Sequence, residues 1–387
     1  MIQISDKSKC CGCTACVNIC PRQCIVMRRD REGFDYPVAN PDMCIHCGRC
    51  ESVCPVLNPA SDSKPIAAYA MRSSEYMEGS SSGGVFPALA KSVLDRGGVV
   101  FGAVMESDLT VGHVEADTMD QVQRMRGSKY VQSDLYSVFE DIKEYLKSGR
   151  KVLFTGTPCQ VAGLKGYLGD VAEGLLAVDL ACHGVPGPGL WEKYVGALAK
   201  RADADVSDVS FRDKSASWRH YSVRYTYASE TAGIVTIDAA RDPYIALFRQ
   251  DMTLRPSCYR CPARNGRSHS DLTLADLWSV HRTAPGFNDD RGVSGVLVNT
   301  ETGDMAMRGI EGMEMTELSP ADVLAENGGF SETVAVPEKR QEFFDGLQVA
   351  GTDIYRHMSD YVVRRPLKTM YKRIRSALSS FKRRISK

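Results

Sequence analysis

No apolar run in the sequence approaches the length of a membrane span, so a transmembrane protein is not expected. The first seven residues lack a basic segment followed by an apolar stretch, and we therefore expect no signal peptide. Neither G-x-G-x-x-G nor G-x-x-x-x-G-K-[ST] occurs, which excludes two common glycine-rich phosphate-binding motifs. These absences predict a protein of the reducing cytoplasm whose chemistry is carried by other residues.

An excess of either charge is also missing, because 48 Lys and Arg balance 48 Asp and Glu. The balance hides an asymmetry: residues 364–387 contain ten Lys or Arg and no acid, so the rest carries 38 basic against 48 acidic residues. The apolar residues of this tail recur at helical spacing, and they are Leu367, Met370, Tyr371, Ile374, Leu378, Phe381 and Ile385. The pattern predicts a basic amphipathic helix that lies on an anionic membrane surface or docks on the body or a partner. Because no nucleic-acid recognition motif accompanies the charge, we expect no nucleic-acid partner.

Cysteine is the residue in clear excess. Ten of the fourteen cysteines fall within the first 54 of 387 residues, in a chain long enough for two or three domains. Eight of the ten form the run C-x2-C-x2-C-x3-C-P twice, over 10–21 and over 44–55. This segment resembles a bacterial two-cluster ferredoxin, in which the fourth cysteine of each run ligates the other cluster.

That pattern gives each of two 4Fe-4S clusters four thiolate ligands. The two ligand sets are Cys10, Cys13, Cys16 with Cys54, and Cys44, Cys47, Cys50 with Cys20. The alternatives are a disulfide framework or zinc sites built from C-x2-C pairs. Zinc requires neither the third and fourth cysteine nor the proline, so the doubled run favours clusters. Cys11 and Cys24 remain, and we interpret them as packing residues.

The rest of the chain has the periodicity of a mixed α/β protein. Residues 25–27 and 34–38 flank a charged turn and predict a hairpin between the two cysteine runs. A segment rich in Pro, Ser, Asn and Asp predicts a linker over 57–65. From Ala67 onward helix and strand signals alternate, which indicates an α/β layer with parallel strands. Later residues alternate in the manner of half-buried antiparallel strands, and the last strand is predicted at 295–299.

Two helices can be placed in more detail. The first is predicted over 85–94, after a serine- and glycine-rich loop and before a buried strand. Ser133 is predicted to cap the second, whose apolar stripe runs from Leu135 to Leu146 and which ends at Gly149.

Four further cysteines lie in this second part of the chain. Cys159 and Cys182 each follow a predicted strand, and Cys258 and Cys261 form a C-x2-C pair. Because the ends of adjacent strands can meet at one edge of a sheet, the four thiols could form another site. Their spacing alone leaves open a third iron-sulfur cluster, a zinc site and buried apolar cysteines.

Several strings from about residue 65 to 310 resemble the coenzyme F-420 hydrogenase/dehydrogenase beta-subunit family. The strings are SSSGGVF at 80–86, RGSKYVQS at 126–133, FTGTPCQ at 154–160, CHGV at 182–185, RPSCYRC at 255–261 and SDLTLADLW at 270–278. The resemblance implies FAD beside a 4Fe-4S cluster, with Cys159, Cys182, Cys258 and Cys261 as the ligands of that cluster. One departure is Ser279, where related chains usually have glycine, and a side chain there limits close approach of the backbone.

The flavin site is implied by the family rather than by a motif. Seven residues are its predicted contacts: Ser81, Ser82, Gly83, Gly84, Lys129, Gly156 and Thr157. The first four precede a helix and the last two follow a strand, and both are places where backbone N–H groups can cradle a pyrophosphate. Lys129 could add a cation near the phosphates or the flavin ring. The alternatives are ordinary turns and a surface lysine.

These observations predict an α+β or α/β protein in three parts. The first, residues 1–60, is a bacterial ferredoxin-like two-cluster domain; the second, 66–335, is a mixed α/β flavin-binding domain; the third, 336–387, is a helical basic tail. We expect an FAD-dependent iron-sulfur oxidoreductase that passes electrons from a ferredoxin-type donor to a two-electron acceptor, with no catalytic residue assigned. The alternatives are an electron-transfer subunit of a larger redox complex, without its own substrate, and a zinc-stabilised scaffold. We expect a redox partner protein and a cytoplasmic location, peripheral to the membrane if the tail binds it.

Overall fold

The computed structural model describes residues 1–363. The basic amphipathic helix predicted from Leu367 to Ile385 lies outside the described residues. No helix within 1–363 is long and apolar enough to cross a membrane.

The N-terminal module (residues 1–60) consists of two cysteine loops joined by a hairpin. Its elements in chain order are helix α1 (Ala15–Asn18), strands β1 (Ile25–Arg29) and β2 (Asp35–Ala39), and helix α2 (Arg49–Ser52). The two strands pair antiparallel, with Ile25 opposite Ala39 and Arg29 opposite Asp35. The predicted hairpin is therefore confirmed, and it carries the second cysteine run back alongside the first.

The remaining strands form an eight-stranded mixed sheet and a three-stranded antiparallel sheet. In chain order they are β3 (Ala67–Ser73), β4 (Val99–Met105), β5 (Val111–Ala116), β6 (Val152–Thr155), β7 (Leu175–Leu180), β8 (Val206–Asp213), β9 (Ser222–Tyr227), β10 (Ile234–Asp238), β11 (Leu272–Asp276), β12 (Ser294–Val298) and β13 (Met313–Leu318). The large sheet has the order β13-β3-β12-β11-β7-β6-β4-β5, and β4, β6, β7 and β11 run parallel. The predicted alternation of helices and strands thus produces a parallel core with antiparallel edges.

Helices cover both faces of the large sheet. In chain order they are α3 (Val85–Leu94), α4 (Met119–Met125), α5 (Val138–Lys147), α6 (Pro158–Leu168), α7 (Pro188–Ala202), α8 (Pro243–Arg249), α9 (Val280–Thr283), α10 (Glu301–Arg308), α11 (Pro320–Leu324), α12 (Arg340–Gly346) and α13 (Ile354–Tyr361). Short 3-10 helices span Lys7–Lys9, Pro256–Arg260, Pro285–Phe287 and Gly328–Phe330. Phe139 of α5 and Val161 of α6 pack against Phe154 on one face, and Leu89 of α3 packs against Leu153 on the other.

The helix predicted to begin at Ser133 begins four residues later, with Ser137 as its N-cap. Residues before it bond to β5 instead: the N–H of His113 donates to Asp134 O at 2.8 Å, and that of Asp134 donates to Val111 O at 2.9 Å. Ser133 accepts a hydrogen bond from the Gln160 side chain at 2.9 Å. The prediction of a Ser133 cap was therefore wrong, because pairing with a strand replaces the first helical turn.

The later strands were predicted in part. β8, β9 and β10 form an antiparallel sheet, and Val223, Tyr225 and Tyr227 are its buried side chains, as their alternation predicts. β12 was predicted to be the last strand, but β13 follows it and pairs with β3. β13 lies at an edge and is mostly exposed, so it lacks an alternating apolar pattern.

The segments on either side of the large domain (residues 66–335) lie against its surface. The predicted linker 57–65 contains no helix or strand, and the N–H of Ser63 donates to Asn265 O at 2.9 Å. At the other end, Phe343 and Phe344 of α12 join the core formed by α7, α8 and the sheet of β8 and β9. Phe34 of the hairpin enters the same core, so this core joins the N-terminal module to the rest of the protein.

Candidate iron-sulfur and flavin sites

The first run, with the last cysteine of the second, forms what we call the inner set: Cys10, Cys13, Cys16 and Cys54. These four thiols line one cavity, and all except the half-buried Cys54 are buried. The loop can turn tightly because Gly12 and Thr14 have φ values of 71° and 59°. At Gly12 a Cβ would lie 2.7 Å from the Gln132 side chain and 2.9 Å from Arg255, so only glycine fits there.

The outer set is Cys20, Cys44, Cys47 and Cys50, which line a second cavity together with Cys24. Cys47 is exposed, and Ile45 beside it is 58% exposed. The Sγ atoms of Cys20 and Cys24 lie 3.4 Å apart, and the N–H of His46 donates to Cys44 Sγ at 3.4 Å. The structure thus sorts the two runs as the crossed ferredoxin pattern predicts, and it adds Cys24 to the wall of the outer cavity.

The third set is Cys159, Cys182, Cys258 and Cys261, which line a third cavity. Cys159 is in the first turn of α6 after β6, and Cys182 follows β7. Since β6 and β7 are parallel neighbours, their carboxyl ends bring these two thiols to the same edge. The pair Cys258 and Cys261 reaches that edge from the short helix Pro256–Arg260 and the residue after it.

The thiols of all three sets suit a cluster that replaces their protons. All fourteen cysteines are free of disulfides, and burial raises the pKa of the Cys258 thiol to about 12 and that of Cys16 to about 12. Such thiols stay protonated until a metal takes the place of the proton. Within residues 1–363 no three Cys, His, Asp or Glu side chains lie close enough to hold a single metal ion. A cubane of four irons holds its thiolates at the corners of a larger group than one ion, so the wider spacing is compatible with clusters.

A buried arginine provides a second test of fit. Arg255 is 1% exposed, and it forms no ion pair with a carboxylate among the described residues. Its Nε donates to Cys10 O at 2.7 Å, and its Nη2 lies 3.6 Å from Cys10 Sγ. A buried guanidinium needs a nearby anion to offset its lost hydration, and a four-thiolate cluster on Cys10 is such an anion.

The inner and third sets are in direct contact. Cys11 lies in the chain between Cys10 and Cys13, and its thiol forms hydrogen bonds with the thiols of Cys13 and Cys159. The bond from Cys11, together with burial, raises the pKa of Cys159 well above its usual value. Cys11 had been interpreted as a packing residue, and the structure shows that it also bridges the two thiol sets.

The first predicted flavin segment is held by bonds within the protein. The N–H of Gly83 donates to Ser294 Oγ at 3.0 Å, and its C=O accepts from Ser73 at 2.8 Å. Ser81 Oγ lies 2.9 Å from Ser128 Oγ, which joins the first two family strings. Gly84 is the N-cap of α3 and has a φ of 82°. Ser82 Oγ is buried without a hydrogen-bond partner among the described residues and is therefore available to a ligand.

The other predicted flavin residues have internal partners too. The Lys129 ammonium donates to the carbonyls of Arg124, Met125 and Arg126 at 2.9–3.0 Å, and burial lowers its pKa to about 7. It therefore caps the C-terminal end of α4. The N–H of Gly156 donates to Val178 O at 3.1 Å, and that of Thr157 donates to Gln160 Oε1 at 2.9 Å. These contacts assign structural roles to the three residues, and their flavin roles stay predictions.

A basic and aromatic group that sequence reasoning missed lies near Ser82. Arg212 on β8 is 4% exposed in its side chain, and its Nη1 donates to Asp276 at 2.6 Å. Its Nε and Nη2 have no hydrogen-bond partner among the described residues. The guanidinium lies 4.7 Å from the ring centre of Tyr221 and 5.2 Å from that of Trp278. Two unused donors between aromatic rings can hold a planar ligand with acceptor atoms.

Lys214 connects this group to the first flavin segment. Its Nζ donates to Ser82 O at 3.1 Å and to Arg291 O at 2.9 Å, and burial lowers its pKa to about 8. The only signal for these residues in the sequence is the family string that ends at Trp278. The departure at Ser279 is accommodated, since Ser279 has a φ of −84° and its N–H donates to the Glu326 carboxylate.

Comparisons with known proteins agree with these sites. A 4Fe-4S dicluster domain matches residues 9–58. The N-term of the coenzyme F420 hydrogenase/dehydrogenase beta subunit matches 67–140, and the C terminus of the same subunit matches 149–323.

Individual relatives match parts of the chain. The F-type subunit of the F(420)H(2) dehydrogenase of Methanosarcina mazei is 22% identical over 226 residues, which cover 54% of this chain and 63% of the relative. Ferredoxin 7Fe of Hydrogenibacillus schlegelii is 50% identical over 42 residues, 11% of this chain and 47% of the relative. The chain therefore spans less than two thirds of the length of these curated relatives. A protein of the F420-reducing NiFe hydrogenase complex from Methanosarcina barkeri aligns with a TM-score of 0.45 and 18% identity, covering 80% of this chain and 93% of that one.

The two beta-subunit matches follow one another along the large domain, and the dicluster match covers both cysteine runs. The chain belongs to the coenzyme F420 hydrogenase/dehydrogenase beta-subunit family and has a 4Fe-4S dicluster domain at its N-terminal end.

Proposed function

We propose that the protein is an iron-sulfur flavoprotein oxidoreductase that takes electrons from a ferredoxin-type donor and delivers them to a two-electron acceptor. The inner and outer sets would hold one 4Fe-4S cluster each, the third set a third cluster, and the large domain FAD. Clusters exchange single electrons, whereas a flavin can deliver two at a time, which is the chemistry that FAD would supply.

The contact between the inner and third sets is the observation that carries the proposal. Cys11 lies between two predicted ligands of the inner cluster, and its thiol touches Cys159 of the third set. The helix that begins at Cys159 also packs on the module, since a Cβ on Gly163 would lie 2.8 Å from Cys13 Sγ. A module that served only as a scaffold would have no need to place thiol against thiol.

The unused donors of Arg212 support a flavin in the large domain. Arg212 and Ser82 have buried polar atoms that no described residue satisfies, and leaving such atoms unpaired costs roughly 1–3 kcal/mol each. A ligand with carbonyl or phosphate oxygens would accept from Arg212, while Tyr221 and Trp278 would flank its planar part. We therefore propose Arg212, Lys214 and Ser82 as FAD contacts, beside the predicted Ser81, Gly83 and Gly84.

Metal and flavin content of anaerobically purified protein tests the proposal. Three clusters require about twelve iron atoms per chain, together with one FAD. In Cys258→Ala we expect about eight iron atoms. The remaining clusters should still be reduced by dithionite, while reduced ferredoxin should no longer reduce the flavin. Cys24→Ala is the matched control, because Cys24 lines the outer cavity without being a predicted ligand, and it should keep the full iron content.

A count of about eight iron atoms with zinc and no flavin in the unaltered protein would contradict the proposal and favour the zinc-stabilised scaffold. For the flavin contacts, Arg212→Gln should lower FAD content without loss of iron. Arg308→Gln is its control, because Arg308 is exposed and pairs only with Asp304 on its own helix. Equal FAD content in both variants would remove Arg212 from the site.

An electron-transfer subunit without its own substrate is the second candidate. It is favoured by the printed name of the Methanosarcina mazei relative, which is a dehydrogenase subunit. The purified chain alone separates the two: an enzyme reduces an added two-electron acceptor, whereas a subunit does so only with its partner present.

The division into a ferredoxin-like domain (1–60), a flavin domain (66–335) and a helical basic tail (336–387) is part of the proposal. Within the described residues the start of that tail packs on the body, because α12 and α13 join the core around α7. We also propose that 364–387 bind an anionic membrane surface, since they carry ten basic and no acidic residues. Sedimentation with anionic vesicles should retain the full chain and lose a chain truncated after 363.

A further inference from the structure

We propose that the Arg255 guanidinium is a shared electrostatic element of the inner and third clusters, whose fixed positive charge makes both easier to reduce. This inference rests on the proposed function, because it requires a cluster in each of the two sets. It concerns one residue that no predicted role included.

Arg255 touches both thiol sets at once. On the inner side its Nε donates to Cys10 O and its Nη2 lies 3.6 Å from Cys10 Sγ. On the other side its backbone C=O accepts from the N–H of Cys258 at 2.8 Å, and its own N–H donates to Val185 O at 2.9 Å. Arg255 and Cys10 are 245 positions apart in the sequence, yet one guanidinium joins their surroundings.

The geometry of the guanidinium is fixed by every neighbour. Nη1 donates to Gln132 Oε1 at 2.9 Å and Nη2 to Asp35 O at 2.9 Å, while Gln132 Nε2 donates to Cys11 O at 3.0 Å. The group lies 4.3 Å from the ring centre of Tyr36. Three nitrogens of a planar fork are used, which a lysine ammonium could not reproduce.

Its charge has no protein counter-charge. Arg255 forms no ion pair within residues 1–363, and residues 364–387 contain no Asp or Glu. Its hydrogen-bond acceptors are carbonyl and amide oxygens and a thiol, which are neutral groups apart from a ligating Cys10. A charge in a low-dielectric interior acts strongly on another nearby, because little solvent screens it. A cluster becomes more negative when it takes up an electron, so the guanidinium stabilises the reduced form.

The electron step changes no covalent bond at Arg255. Each cluster takes up one electron, and the guanidinium stays protonated throughout because its pKa lies above 12 in any state. The expected effect is therefore on potentials and not on the pH dependence of activity.

Redox titrations of the full chain, followed by EPR, test the inference. The outer, inner and third signals are assigned first with Cys47→Ser and Cys258→Ala, which each remove one cluster. In Arg255→Gln the ratio of reduced to oxidised inner and third clusters, at one fixed potential, should fall at least about threefold, equal to ~28 mV at 59 mV per tenfold for one electron. The outer signal should not move. Arg255→Lys keeps the charge and should fall less.

Arg260→Gln is the matched control. Arg260 is exposed and adjacent to Cys261, so water screens its charge and no potential should change. If Arg255→Gln does not hold iron, Gln132→Glu is measured instead, since it leaves Arg255 in place and puts a carboxylate beside Nη1. Both potentials should fall in this variant too.

Two results would overturn the inference. One is unchanged inner and third potentials in an iron-replete Arg255→Gln or Gln132→Glu protein. The other is an equal shift in Arg260→Gln. Failure of the proposed function is distinguishable, because it would show as about eight iron atoms in the unaltered chain before any titration.

Discussion

The inner and outer cysteine sets have the same spacing but opposite surroundings. Cys13 of the inner set faces Gly163 of the large domain, and Cys10 faces the buried Arg255. In the outer set Cys47 is exposed, the only one of the fourteen cysteines to be so, and the structure describes all fourteen. Because the runs themselves match, the difference comes from what covers them. One module thus has a face for exchange within the chain and a face for exchange with another protein.

The largest expected effect is a contrast between Cys13→Ser and Cys47→Ser. Each should lose one cluster and about four iron atoms. Only Cys13→Ser should also loosen the module from the large domain, because the inner cavity is part of their contact. We expect limited proteolysis to cut the linker 57–65 faster in Cys13→Ser alone. Equal cutting in the two variants would show that the inner cluster does not stabilise the contact.

A second contrast concerns two ion pairs that join the hairpin turn to α12. Glu32 and Arg340 lie 2.6 Å apart with side chains 11% and 8% exposed, whereas Arg31 and Asp345 lie 3.4 Å apart and are exposed. Glu32→Gln leaves a buried charge without its partner and should lower the free energy of unfolding by about 3 kcal/mol. Asp345→Asn should change it by less than about 1 kcal/mol. Urea unfolding measures both, and similar values would mean that the buried pair does not hold the module in place.

The smallest contrast compares two helical glycines. A Cβ on Gly163 would lie 2.8 Å from Cys13 Sγ, whereas nothing lies within 4 Å of one on Gly196 of α7. Gly163→Ala should destabilise by about 1–3 kcal/mol through overpacking. Gly196→Ala should stabilise by up to about 1 kcal/mol, since alanine favours a helix. Thermal unfolding distinguishes the two signs, and a stabilised Gly163→Ala protein would refute the close contact at Cys13.

Local signals predicted much of this architecture. The doubled run has a fixed ligand spacing, so the crossed arrangement around two cavities follows from the sequence. The hairpin over 25–39 and the parallel strands before Cys159 and Cys182 follow from apolar runs and turns. These features depend on neighbours within a few residues, which is the range over which periodicity is informative.

The remaining features depend on contacts between distant segments. Arg255 meets Cys10 across 245 positions, and no local pattern marks it as a counter-charge. Arg212 is an ordinary strand residue until Tyr221 and Trp278 surround it. Ser133 has the composition of a helix cap, but pairing of Asp134 with β5 overrides it. Local preference is decisive only where no distant partner competes for the same backbone groups.

The exposure of Cys47 has a consequence for handling the protein in air. Oxidants attack sulfur according to its thiolate character and its accessibility, so a cluster on the outer set would be the first to degrade. The inner and third sets have no exposed thiol. Samples exposed to oxygen should therefore lose iron in order, from the surface inward. The surviving clusters would then be cut off from any donor while the interior stays chemically intact.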